Sequence, residues 1–139
     1  MRESSIRRLS RIHRLLFEVT AGVIGRRLVA NDMLLLTTIG RRSGKPHTVP
    51  LLYIEDGDRF VVIASFGGRQ HHPAWYLNLT ANPNVEVQVR NRRFPALAMT
   101  ASPEDRSRLW PQITETYRGY AAYQTRTDRT IPVVFLSSL

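Results

Sequence analysis

The chain has 139 residues, a length that suits one domain and leaves little room for two. Hydrophobic residues make up 42%, too many for a disordered chain, and the absence of cysteine excludes disulfides and thiolate metal sites. The formal net charge is +9 and Lys45 is the only lysine, so nearly all the positive charge is arginine, which suits bidentate contact with phosphate or carboxylate.

Residues 1–30 hold seven arginines against Glu3 and Glu18, so +5 of the +9 lies there and +4 is spread over the other 109 residues. That distribution describes a basic arm on an ordinary domain and argues against a nucleic-acid-binding core. Ile6, Leu9, Ile12, Leu16, Val19 and Val23 recur at three- and four-residue spacing, which predicts a basic amphipathic N-terminal helix over 4–28. Such a helix either packs on the following domain or rests on an anionic membrane surface. The apolar run over 15–25 is interrupted by Glu18 and is far shorter than the roughly 20 residues that cross a bilayer. A cysteine-free chain without a spanning segment is expected in the cytoplasm, peripheral at the inner face of the cell membrane if the helix binds lipid.

From residue 31 a second unit is expected. Strands are predicted over 33–39, 48–55 and 59–65, with Asp56-Gly57-Asp58 as the hairpin turn between the last two. Val85, Val87 and Val89 alternate with polar residues as in a half-buried strand. Asn91-Arg92 reads as a turn into a strand over 94–101, and 131–136 is the last apolar run. Six strands, mostly hairpin-linked, predict a mainly β fold with helices, built as a small antiparallel barrel over 31–139.

Two helical inserts are expected. Residues 73–79 begin with proline at a first helical position. Ser102-Pro103-Glu104-Asp105 supplies a cap, a first-turn proline and two acids for the positive end of the helix dipole. Leu109, Ile113 and Tyr117 continue that helix, with Pro111 expected to kink or divide it. Tyr117, Tyr120 and Tyr123 would share one broad helical face. Asp128 and Arg129 pin a polar turn before the last strand.

Three segments can carry chemistry. Gly40-Arg41-Arg42-Ser43-Gly44-Lys45-Pro46-His47 joins two strands and concentrates cations, a hydroxyl and loop amides suited to a phosphate; the other reading is a solvated basic turn. It is not a P-loop, because three residues separate its glycines and Pro46 follows the lysine. Ser65, Phe66, Gly67 and Gly68 precede a short helix with Trp75 and Tyr76, whose rings could pack on a planar ligand or simply fill the core. The three tyrosines could present hydroxyls as proton sources. His71-His72 has no carboxylate cluster beside it and no serine-hydrolase motif occurs, so neither a metal site nor a serine nucleophile is expected.

The motifs over 37–47, 50–53, 64–68 and 72–83, followed by Trp110-Pro111-Gln112 and then 127–132, together resemble the deazaflavin (F420)-dependent nitroreductase family across roughly residues 33–136. The resemblance implies a split β-barrel of the flavin-reductase and pyridoxamine-oxidase type that binds coenzyme F420, a deazaflavin with a phosphate and an acidic polyglutamate tail. Flavin mononucleotide is the alternative coenzyme, since the same loops suit its phosphate. Arg41, Arg42, Ser43, Gly44, Lys45 and His47 would meet the phosphate and tail. Pro50, Ser65, Gly67, Gly68, Pro73, Trp75, Tyr76 and Asn78 would line the ring and its ribityl chain. The implied activity is hydride transfer from reduced F420 to a quinone-like or nitroaromatic acceptor. Leu52, Tyr117, Tyr120 and Tyr123 would wall the acceptor pocket, with Tyr120 and Ser65 as the catalytic pair. Phe66, Leu52 and Arg126 differ from residues found at those positions in some relatives.

Overall fold

The computed structural model describes residues 33–139, and the expectations for the 4–28 helix and the 1–30 unit lie outside the described residues. The described residues form a mainly β molecule with three α-helices. Its strands are β1 (Met33–Ile39), β2 (Pro46–Leu52), β3 (Ile54–Asp56), β4 (Arg59–Ile63), β5 (Asn84–Val89), β6 (Arg92–Thr100) and β7 (Val133–Ser138). The helices are α1 (Ala74–Ala81), α2 (Pro103–Thr116) and α3 (Gly119–Thr125).

The seven strands make one sheet in the order β2-β1-β5-β6-β7-β4-β3, and every pairing is antiparallel. Its two edge strands, β2 and β3, are consecutive in the chain and separated only by Tyr53. One residue cannot span a flat seven-stranded sheet, whose strands lie about 4.8 Å apart. The sheet therefore curls until its edges meet at the buried Tyr53.

That bend corrects the expected strand count from six to seven. The apolar run 48–55 is continuous in sequence, but it serves both edges of the sheet and must break between them. The β5–β6 turn uses Arg90 and Asn91, one residue earlier than expected, and Arg90 takes the left-handed φ of 58°. Helix α2 is not divided at Pro111; it runs on to Thr116 and ends at Tyr117. Pro111 and Ser107 are both exposed, so the carbonyl that proline leaves without a helical donor can meet water.

Period-two alternation distributes the apolar residues onto both faces of the sheet. Val62, Val134 and Leu136 join Leu34, Leu36 and the three valines of β5 inside the curl, where Trp75 and Leu79 of α1 also pack. Val61, Ile63, Val133 and Phe135 point the other way and are covered by Leu109 and Ile113 of α2 and Tyr120 of α3. The start of α2 matches its sequence signals: Ser102 Oγ accepts from the Asp105 amide at 3.2 Å, Pro103 opens the helix, and Glu104 and Asp105 occupy the first turn. Among the described residues no helix is long and apolar enough to cross a membrane.

Candidate active site

Two adjoining clefts open along strand β2 and helix α1. The larger, of about 820 Å³, is predominantly apolar and is lined by Pro50, Leu52, Ser65, Gly67, Pro73, Trp75, Tyr117, Tyr120 and Tyr123. The smaller, of about 380 Å³, is lined by Arg41, Arg42, Ser43, His47 and Asn78. Val49, Ala74 and Trp75 line both, so the basic turn and the tyrosine wall share a common partition.

Each wall has a local origin. Four consecutive residues of β2, Val49 to Leu52, line the larger cleft, although alternation alone would supply only every second one. Among the described residues strand β2 pairs only with β1, so its backbone edge as well as its side chains can face a ligand. The basic turn between β1 and β2 is closed by backbone bonds from the Gly40 amide to the Lys45 carbonyl (2.8 Å) and from the Gly44 amide to the Gly40 carbonyl (2.9 Å). Ser43 Oγ accepts from the Lys45 amide at 3.1 Å. Gly44 takes φ +70° with open space where a side chain would begin, which suits close approach of a ligand to bare backbone.

Asn78 ties this turn to α1. It is 4% exposed, and its Oδ1 accepts from the Arg41 amide (3.1 Å) and the Arg41 guanidinium (3.3 Å), while its Nδ2 donates to Thr38 Oγ1 (3.2 Å). A buried amide with its partners satisfied in this way fixes the turn's orientation.

The opposite wall begins where β4 ends. Ser65 is buried, and Phe66, Gly67 and Gly68 follow with φ of 48°, 64° and 78°. A β-carbon on Gly68 would lie 2.6 Å from the Tyr123 carbonyl oxygen, so glycine is what lets this turn pack against α3. Three tyrosine rings meet edge to face, with centroids 6.0 Å apart for Tyr117 and Tyr120 and 5.9 Å for Tyr120 and Tyr123. Tyr117 also donates its hydroxyl to the Tyr53 carbonyl at 3.0 Å, anchoring the wall to the strand bend.

The remaining expected site residues lie elsewhere. Gly44 and Lys45 are exposed at the tip of the turn and line neither cleft, and Gly68 is buried behind the wall. The hydroxyls of Tyr76 and Thr100 share a 2.8 Å hydrogen bond, and Tyr76 lines a separate cleft of about 460 Å³ with His72 and Arg106. Sequence reasoning missed Met33, Val49, Leu51, Ile63, Ala74 and Gly119 of the larger cleft, all ordinary residues in regular elements. It also missed the reach of Arg129, whose partners lie some 60 residues upstream. Among the described residues no three His, Asp or Glu side chains come together as a metal site would.

Burial lowers the pKa of His72 below the ordinary histidine value of 6.5, and the neighbouring Arg129 adds to the effect. Away from the clefts, hydrogen bonding to Arg108 and then to Arg59 holds the Asp56 pKa at about 2.

The model of the F420H(2)-dependent quinone reductase family matches residues 9–138. An F420H(2)-dependent quinone reductase of Mycobacterium tuberculosis is 42% identical over 133 residues, which cover 93% of this chain and 89% of that protein. A solved structure of an F420-H2 dependent reductase superposes with a TM-score of 0.70 at 41% identity, covering 76% of this chain and 94% of the other. The haem-storage protein HutZ of Vibrio cholerae, 17% identical with a TM-score of 0.61 over 82% and 87% of the two chains, shares the fold. With motif, sheet topology and cleft in agreement, the chain belongs to the F420H(2)-dependent quinone reductase family.

Proposed function

We propose that this chain holds coenzyme F420 across the partition between the two clefts and uses it, when reduced, to reduce a quinone lying against the tyrosine wall. The observation that carries this reading is the sharing of Val49, Ala74 and Trp75 by a basic cleft and an apolar one. A ligand with an anionic tether and a flat apolar ring needs both, side by side. The fit is supported by the donor set: exposed Arg41 and Arg42, the Ser43 hydroxyl and His47 beside one groove, with the left-handed Gly44 at the tip of the same turn.

In this reading Arg41, Arg42 and Lys45 bind the phosphate and acidic tail, and Ser43, Gly44 and His47 add donors from the same turn. Pro50, Pro73 and Trp75 bracket the ring, and Gly67 presents backbone to it. The bound coenzyme supplies the hydride, and the protein contributes placement and electrostatics. Apolar lining residues, Leu52 among them, exclude water from the space between coenzyme and acceptor. Tyr120 holds its hydroxyl toward the acceptor as a donor to the oxygen that gains charge, and Ser65 does the same at the ring edge.

Fluorescence titration tests the coenzyme assignment. F420 is expected to bind with an affinity that weakens steeply as salt rises, because the tail adds several negative charges. Flavin mononucleotide, with one phosphate, is expected to bind more weakly and with less salt dependence. Oxidation of reduced F420 should then require a quinone. Tight flavin mononucleotide binding without F420 binding would transfer the site to the alternative coenzyme.

A further inference from the structure

We propose that Arg129 is a positioning residue, which clamps the segment carrying Ser65 and the left-handed turn of the active-site cleft and requires a neutral His72 to do so. Arg129 lies in the polar stretch before β7 and is half-buried. Its Nη2 donates to the Ser65 carbonyl at 2.7 Å, its Nη1 to the Ala64 carbonyl at 3.2 Å, and its Nε to the Arg69 carbonyl at 2.8 Å. One planar guanidinium thus holds the backbone on both sides of the Phe66–Gly68 turn. That turn needs holding, since Phe66 is a bulky residue in the left-handed region, where strain persists only if the surroundings enforce it.

The fourth partner gives the clamp its chemistry. Nη1 of Arg129 also lies 2.9 Å from Nδ1 of His72. A guanidinium has donors and no acceptor, so Nδ1 must be the unprotonated nitrogen. A proton there would set two N–H groups and two positive charges against each other. Among the described residues no carboxylate is ion-paired with Arg129, so its charge is met only by carbonyl dipoles and the imidazole lone pair.

The groups facing His72 from the surrounding elements all disfavour a second proton or are neutral. The Tyr76 ring of α1 stands 4.9 Å from the imidazole, and Arg106 and Ser107 of α2, Thr100 of β6 and Thr130 line the same small cleft. Arg106 and the clamping Arg129 are the charged groups facing His72, and none of these neighbours is an acid. The lowered pKa of His72 agrees with this arrangement.

The inference rests on the reading that Ser65 and the turn face the coenzyme, and the test separates the two. NMR titration of the coenzyme-free protein should place the His72 pKa below 6.5. In Arg129→Met it should rise toward that value; an unmoved pKa would refute the clamp whether or not F420 binds. Arg129→Lys keeps the charge and loses the fork, and carries the affinity test if the methionine variant does not fold. Both variants should bind F420 about tenfold more weakly, the size expected for losing charged hydrogen bonds. Wild-type affinity should decline as pH falls through the lowered pKa of His72. His72→Asn, whose Oδ1 replaces Nδ1 as an acceptor that does not titrate, should hold its affinity to lower pH. An identical acid limb in both proteins would remove His72 from the clamp. If the wild type does not bind F420 at all, the coenzyme reading fails while the NMR result still decides the clamp.

Discussion

Tyr120 illustrates what a single residue contributes here. Its ring is buried among Tyr117, Tyr123 and the apolar residues beneath α2, so truncation would disturb packing as well as chemistry. Removing the hydroxyl alone separates the two. Tyr120→Phe is expected to lower kcat by about 10²-fold while coenzyme affinity and melting temperature stay near wild type, as for loss of a positioned proton donor. An unchanged kcat would assign the residue to packing. At this scale the sequence was informative where chemistry is local: the cations of 40–47 and the three tyrosines each come together because neighbours in sequence are neighbours in space. It was uninformative for Arg129, whose partners Ala64, Ser65 and Arg69 sit at a separation that no spacing rule encodes. Tyr76 adjoins Trp75 yet lines another cleft, because consecutive helical residues point about 100° apart.

Among the elements, the turn Phe66–Gly68 is the most constrained. Gly68→Ala would set a β-carbon against the Tyr123 backbone and impose a side chain at φ +78°. A loss of about 2–4 kcal/mol in denaturant unfolding is expected, the range for strain at a special backbone position with no room to relax. A loss below 1 kcal/mol would show that the turn and α3 are not packed as described. The ends of elements were legible where the signal is chemical, as with Ser102-Pro103-Glu104-Asp105 before α2. They were not legible where long-range geometry decides. Nothing in the β-rich run 48–55 marks Tyr53 as a bend, since the bend exists only because the curled sheet needs one stretch of chain for both of its edges.

For the whole molecule, the curl of the sheet creates the site. It brings β2, the turn after β4 and the α2–α3 junction around one space, although they are separated by up to about 70 residues. Asp56 secures the β3–β4 turn to α2: it accepts from Arg108 at 3.1 and 3.0 Å and from Arg59 at 3.1 Å. Its pKa is lowered from 3.8 to about 2, so the stability it confers is complete above pH 3.8 and is lost as pH falls through about 2. Replacing it by asparagine should flatten that part of the stability–pH curve, measured by thermal unfolding across the acid range. The effect should be modest, because Arg108 is half exposed and such pairs are screened by solvent. The mainly β class could be anticipated from alternation and turn residues, whereas the order of the strands in the sheet could not. The curling of the sheet was expected from the number and spacing of the strands, but the joining of its two edges through Tyr53 was not, because that is a property of the sheet and of no single strand.

In this molecule the basic turn and the apolar cleft are proposed to be two halves of one coenzyme site. A crystal structure of the protein soaked with F420 would decide this. The phosphate and acidic tail are expected along Arg41, Arg42 and Ser43, with the ring beside Trp75 and facing Ser65 and Tyr120. A ring bound outside the tyrosine-walled cleft, or a tail directed away from the 40–47 turn, would show that the two clefts do not form one site.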